Sequence, residues 1–207
     1  MIALAVVVAA GSRLLTDGGG ANQPGATTAT TAAGSATGGR AKVSLDASAN
    51  LTETIDISWS SPPDALRLTV PAQTAYGFHP RVAISLLESG GADEPAEVTL
   101  GPGQRADVPL AAGVTQTRLA FTSTGTHVAS TPSAPGRGLV LLTPLQVMDG
   151  DVRLRLEVTD HRILNLACRT AEQTEACGTR DGDTWTVEVL AAGEYVIAQV
   201  DLASAAG

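Results

Sequence analysis

The stretch DVRLRLEVTD, Asp151 to Asp160, decides the fold class. Val152, Leu154, Leu156 and Val158 take every second position, with Arg153, Arg155 and Glu157 between them. Successive side chains on an extended chain point to opposite faces, so this period predicts a strand with one buried and one wet side. Charges on the wet side admit two readings: a face that binds sugars or anions, or a solvated strand with cross-strand ion pairs. The second is the ordinary condition of an exposed sheet face and is favoured here.

The same alternation recurs in KVSLDAS, ETIDISWS, ALRLTVP, AEVTL, ADVPL, TRLAFT and TWTVEV. RVAISLLE, GLVLLTPLQV and EYVIAQVDL are more continuously apolar and suit central strands. Turn signals lie between them: SSPPD, ESGGAD, GPGQ, MDGD, RDGD. About a dozen short strands with this punctuation predict an all-β sandwich, jelly-roll-like, spanning residues 42–205. No segment reads as an amphipathic helix, and no internal repeat is visible.

Two segments precede that domain. Residues 1–15 contain IALAVVVAAG, an apolar run too short for a complete membrane span of about 20 residues. It lacks the basic residues expected ahead of a signal core. It therefore reads as an incomplete signal or anchor, or as the end of a membrane helix in a longer protein. Residues 16–41, TDGGGANQPGATTATTAAGSATGGRA, are mostly Gly, Ala and Thr with two charges. Such a composition does not offset ordering entropy and predicts a flexible, disordered linker. Together the segments predict an extracytoplasmic module, tethered to a membrane or secreted.

The formal net charge of -8 disfavours a nucleic-acid partner. The two cysteines, Cys168 and Cys177, lack the spacing of a zinc site. A disulfide suits an exported chain, and two unpaired thiols are the alternative.

No nucleophile elbow, zinc-peptidase helix, P-loop or dinucleotide fingerprint occurs, so the chain reads as non-catalytic by itself. The three histidines, His79, His127 and His161, are far apart in sequence. No cofactor is expected. Calcium is the one metal candidate, at Asp149 and Asp151 and at Asp181 and Asp183, since hard oxygen ligands close together in a loop suit it. Asp-Gly is equally the ordinary composition of a tight hairpin turn, which is favoured at both places.

The best binding candidate is TAYGFHPR, Thr74 to Arg81, which holds two of the six Phe, Trp and Tyr residues. Tyr76 and Phe78 can present a platform to the apolar face of a sugar ring, with His79 and Arg81 bonding its hydroxyls. Alternatively the two aromatics are needed for burial, as scarce aromatics usually are. The long polar loop from Thr122 to Gly138, with His127 and Arg137, is the second candidate.

From Leu66 to Val147 the order of segments is LRLTVP, RVAISLLESG, AEVTLGPGQRADVPLAAGVTQTRLAFTSTG, a Pro-rich loop and GRGLVLLTPLQV. This run resembles the extracytoplasmic β-sandwich domains that follow the last membrane helix of actinobacterial envelope glycosyltransferases, the arabinosyltransferases among them. The resemblance implies a carbohydrate-binding-like domain whose catalytic residues lie on a separate membrane part. It also implies a binding role for Arg137, in Arg137-Gly138-Leu139, although Gly136 stands where an acidic residue is usual. The expected partner is then cell-envelope polysaccharide. A membrane protein partner, with no sugar site on this chain, is the alternative.

Overall fold

The computed structural model describes residues 34–72, 76–89, 92–94, 98–129, 136–149, 152–170, 173–190 and 193–202. The apolar segment 1–15 and the linker up to residue 33 lie outside the described residues. Among those described, every regular element is a strand. In chain order they are β1 (Ser35–Leu45), β2 (Leu51–Ser61), β3 (Ala65–Thr69), β4 (Arg81–Ser89), β5 (Ala92–Glu94) and β6 (Val98–Leu100). Then come β7 (Arg105–Pro109), β8 (Gln116–Thr124), β9 (His127–Ala129), β10 (Arg137–Leu141), β11 (Gln146–Val147) and β12 (Leu154–Thr159). The last five are β13 (Ile163–Arg169), β14 (Thr174–Ala176), β15 (Thr179–Asp181), β16 (Thr184–Leu190) and β17 (Tyr195–Asp201).

They form a sandwich. One layer is a nine-stranded sheet ordered β15-β16-β12-β1-β2-β8-β4-β5, with β6 also on β4. The other layer holds a five-stranded sheet, β14-β13-β17-β10-β9, and a three-stranded sheet, β11-β3-β7. Alternation drives the packing. Leu51, Ile55, Ile57 and Trp59 of β2 and Leu119 and Phe121 of β8 enter one core. They share it with Leu66 and Leu68 of β3 and with Val196, Ala198 and Val200 of β17.

The strand over 151–160 forms as its period predicts: Leu156 and Val158 are buried. Arg155 pairs with Glu157 and Glu188 on the outer face, and Arg40 also reaches Glu157. Continuing across the sheet, Arg118 of β8 bonds Asp56 of β2 at 2.6 Å and Glu88 of β4 at 3.4 Å. The wet side is thus an ion-paired face. GLVLLTPLQV differs from its reading as one strand: it breaks at Pro144 into β10 and β11, which join different sheets.

The linker expectation is corrected at its end. Residues 35–41 belong to β1, which pairs with β2 on one side and with β12 on the other. Backbone ladders on both sides order a segment whose small side chains offer little burial. Smallness is needed here. A β-carbon on Gly39 would meet Leu154 Cδ2 at 2.5 Å and the Asp56 carbonyl oxygen at 3.1 Å.

Buried polar groups divide into satisfied and unsatisfied. Arg162 and Asp160 are both buried and bonded at 2.7 Å, and Arg162 also donates to the Asp46 carbonyl at 2.9 Å. That bond fixes the β1–β2 turn. Trp59 Nε1 donates to Thr117 Oγ1 at 2.9 Å. Glu53 is one of several exceptions among the described residues: it is 2% exposed on the core side of β2, and its Oε2, like the buried Ser123 Oγ, has no hydrogen-bond partner. Burial penalises the charged form and pushes its carboxyl well above the usual carboxylate range, which favours the protonated form in the folded state. The unfolded chain releases that proton above the ordinary carboxylate value, so the group costs stability progressively as pH rises. Glu53→Leu is expected to raise the melting temperature at pH 8, by the equivalent of about 1–3 kcal/mol. The gain should shrink at pH 4; thermal denaturation followed by circular dichroism at both pH values checks it.

Candidate functional site

The five-stranded sheet carries an apolar patch on its outer face as well as an apolar inner face, which is unusual for the outer layer of a sandwich. Its inner face carries Val140, Leu142, Val196 and Ala198 into the main core. Leu141 and Ile197, of the opposite alternation, project outward and are nevertheless buried. Phe78 covers them. It is 3% exposed and packs on Leu141 and Ile197, with Val128, Leu139 and Tyr195 at its margin.

The TAYGFHPR segment is pinned where it crosses this face. His79 N donates to the Gly125 carbonyl at 3.0 Å in the β8–β9 turn. Gly125 has φ 67°, and a β-carbon there would collide with the His79 carbonyl oxygen. Only glycine fits both conditions. Thr74 and Ala75 lie outside the described residues.

Above the plug sits an open aromatic group. Tyr76 is 41% exposed, its ring 6.1 Å from that of Phe78 and tilted by 59°. The guanidinium of Arg169, from β13, lies 5.8 Å from the Tyr76 ring centroid. Arg169 pairs in register with Tyr195 of β17, so the two side chains leave the sheet together. Four residues along, Asn165 Nδ2 donates to Gln199 Oε1 at 2.9 Å on the same outer face. Tyr76, Tyr195, Arg169, Asn165 and Gln199 thus line one side of one sheet. The disulfide Cys168–Cys177, with Cα atoms 5.6 Å apart, holds β13 directly beside Arg169.

The expected residues divide accordingly. Tyr76 is where a platform needs it. Phe78 is corrected from platform to plug, because its ring is enclosed by Leu141 and Ile197. His79 is exposed. Arg81 begins β4 on the outer face of the nine-stranded sheet, since Val82 and Ile84 take the inner one. His127 pairs with Val140 and so leaves β9 on the core-facing side at the sheet edge. Arg137 shares the outer face with Leu139, at the far end of β10. Thus Tyr76 and Arg137 share a sheet face, while Arg81 and His127 do not join them. Sequence reasoning missed Arg169, Tyr195, Asn165 and Gln199.

Of the calcium candidates, Asp149 belongs to a buried structural pair. Asp149 is fully buried, with both carboxylate oxygens bonded to Arg67, one by the backbone N–H and one by Nε at 2.7 Å. Asp151 lies outside the described residues. Asp181 and Asp183 flank the β15–β16 hairpin turn, where Arg180 donates to the Gly182 carbonyl at 2.8 Å. Among the described residues, no three His, Cys, Asp or Glu side chains are grouped to hold a metal ion.

A depression of about 500 Å³ lies elsewhere, on the outer face of the nine-stranded sheet, lined in part by Asp56, Ser58, Glu88, Gln116 and Arg118. Its charges already neutralise one another through the Arg118 bridges. It offers no aromatic surface, so the Tyr76 face is the stronger candidate.

No protein-family model matches the chain, and no curated protein matches it. Among solved structures it is similar to an aminopeptidase N family protein from Idiomarina loihiensis, at TM-score 0.47 and 13% identity, over 79% of this chain and 29% of that one. It is also similar to an M1 zinc metallopeptidase from Deinococcus radiodurans, at TM-score 0.43 and 12% identity, over 80% of this chain and 42% of that one. A third is leukotriene A4 hydrolase from Saccharomyces cerevisiae, at TM-score 0.46 and 10% identity, over 86% of this chain and 32% of that one. The chain spans less than half the length of each of these proteins.

The two aromatics of TAYGFHPR should separate in stability measurements. Phe78→Ala is expected to cost about 3–5 kcal/mol, as for buried aromatics generally. Tyr76→Ala should stay within about 0.5 kcal/mol of the native chain. Urea unfolding of both variants checks the difference.

Proposed function

We propose that this chain is a non-catalytic, extracytoplasmic binding module that holds cell-envelope carbohydrate on the outer face of its five-stranded sheet. The observation that carries the reading is the exposed Tyr76 ring, propped by a buried Phe78 and flanked by Arg169. A ring fixed in this way can stack on the apolar face of a pyranose or furanose with little loss of side-chain freedom on binding. Asn165 and Gln199 add amide donors and acceptors further along the same face. The disulfide supports an oxidising compartment, where such bonds persist. The resemblance to envelope glycosyltransferase tails supports a tethered arrangement, in which the module presents polymer to an enzyme on a separate part.

Affinity electrophoresis through gels containing soluble envelope polysaccharides tests the reading. The native chain should be retarded in at least one gel. Tyr76→Ala should weaken that retardation about tenfold, in line with the loss of one stacking contact, with an unchanged melting temperature. A native chain that migrates freely through every gel, or a Tyr76→Ala chain retarded as strongly as the native one, overturns it.

A further inference from the structure

The arginines of this chain divide by what they touch. Arg40, Arg67, Arg118, Arg155, Arg162 and Arg180 each pair with an Asp or Glu. Among the described residues, Arg81, Arg105, Arg137, Arg153 and Arg169 have no carboxylate partner. Of these five, Arg169 alone is half-buried; the others are exposed. An exposed arginine is satisfied by water from every side. A half-buried one gives up part of that hydration, and in this acidic chain, formal net charge -8, carboxylates are plentiful. Arg169 instead rests against the Tyr76 ring, with one long hydrogen bond of 3.4 Å to Thr174 Oγ1. Among the described residues, Thr174 is the one hydrogen-bond partner of its five N–H donors. The ring and β13 hold the group in place, and the disulfide beside it restrains the strand.

We infer that the saccharide held on this face is acidic, and that Arg169 receives the carboxylate of a uronate unit between Tyr76 and Tyr195. This rests on the reading of that face as a saccharide site. The planar guanidinium matches a carboxylate through two parallel N–H···O bonds, a geometry that a neutral hydroxymethyl group cannot reproduce. Stacking of the sugar on Tyr76 brings substituents at the ring edge toward the neighbouring guanidinium. The chain's overall negative charge does not prevent this. Screening reduces charges more than about 10 Å away at ordinary salt, so the local cation decides. Tyr76 and Tyr195 are the aromatic residues nearest this guanidinium, by ring contact and by strand register.

The test uses one oligogalacturonide in two forms, native and with its carboxylates reduced to primary alcohols, so that only the charge differs. Isothermal titration calorimetry on the whole chain at about 0.1 M salt should give about tenfold tighter binding to the acidic form, the gain expected of one charge-assisted contact. Arg169→Gln should remove that difference, so that the acidic and reduced forms bind within about twofold of each other. Arg169→Lys should restore only part of it, since a point charge lacks the fork. Melting temperatures of both variants should match the native chain. Equal binding of the two forms, or an acidic preference that survives Arg169→Gln, overturns the inference and leaves the saccharide face standing. Binding of neither form, together with free migration through every polysaccharide gel, overturns both.

Discussion

The nine-stranded layer depends on the parallel seam between β1 and β12. Among the described strand pairs it is the only parallel one. On one side of it lie β2, β8, β4, β5 and β6, all from the first two thirds of the chain. On the other lie β12, β16 and β15 from the last third. Without the seam there would be two smaller sheets and a divided core. The register places Gly39 opposite Leu154 and Lys42 opposite Glu157. Gly39 lets the strands close, and the Arg40–Glu157 bridge ties them across the solvent face.

Much of this was legible beforehand, because period two is a local signal. β2, β3, β8, β12 and β16 declare themselves by alternation, and the Asp-Gly turn before β16 declares its hairpin. The first half of β1 does not. SATGGRA carries no apolar alternation, and its order comes from partners about 20 and 115 residues away. No local pattern encodes a ladder at that separation. Nor does composition reveal that β10 and β11 diverge into different sheets, since both read as one apolar run.

The site was legible in one half only. TAYGFHPR stands out because aromatics are scarce, and Phe78 and Tyr76 prove to be buried and open members of one pair. The other half was hidden in β13, not read as a strand, and in β17, read as central. Asn165, Ala167 and Arg169 alternate on β13, and Tyr195, Ile197 and Gln199 alternate on β17, so a signal existed. The continuous apolarity of EYVIAQVDL masked it. That apolarity has a physical reason, now visible: Phe78 buries the outer face of a sheet whose inner face is already in the core.

Neither outermost strand of the described chain is an edge strand. β1 lies between β2 and β12, and β17 lies between β13 and β10. A pull along the chain into Ser35 therefore loads two ladders in shear at once, and the same holds at Asp201. Edge strands can be peeled one hydrogen bond after another; flanked strands must break many together. Tension applied at Ser35 or at Asp201 is accordingly resisted by a ladder on each side of the loaded strand.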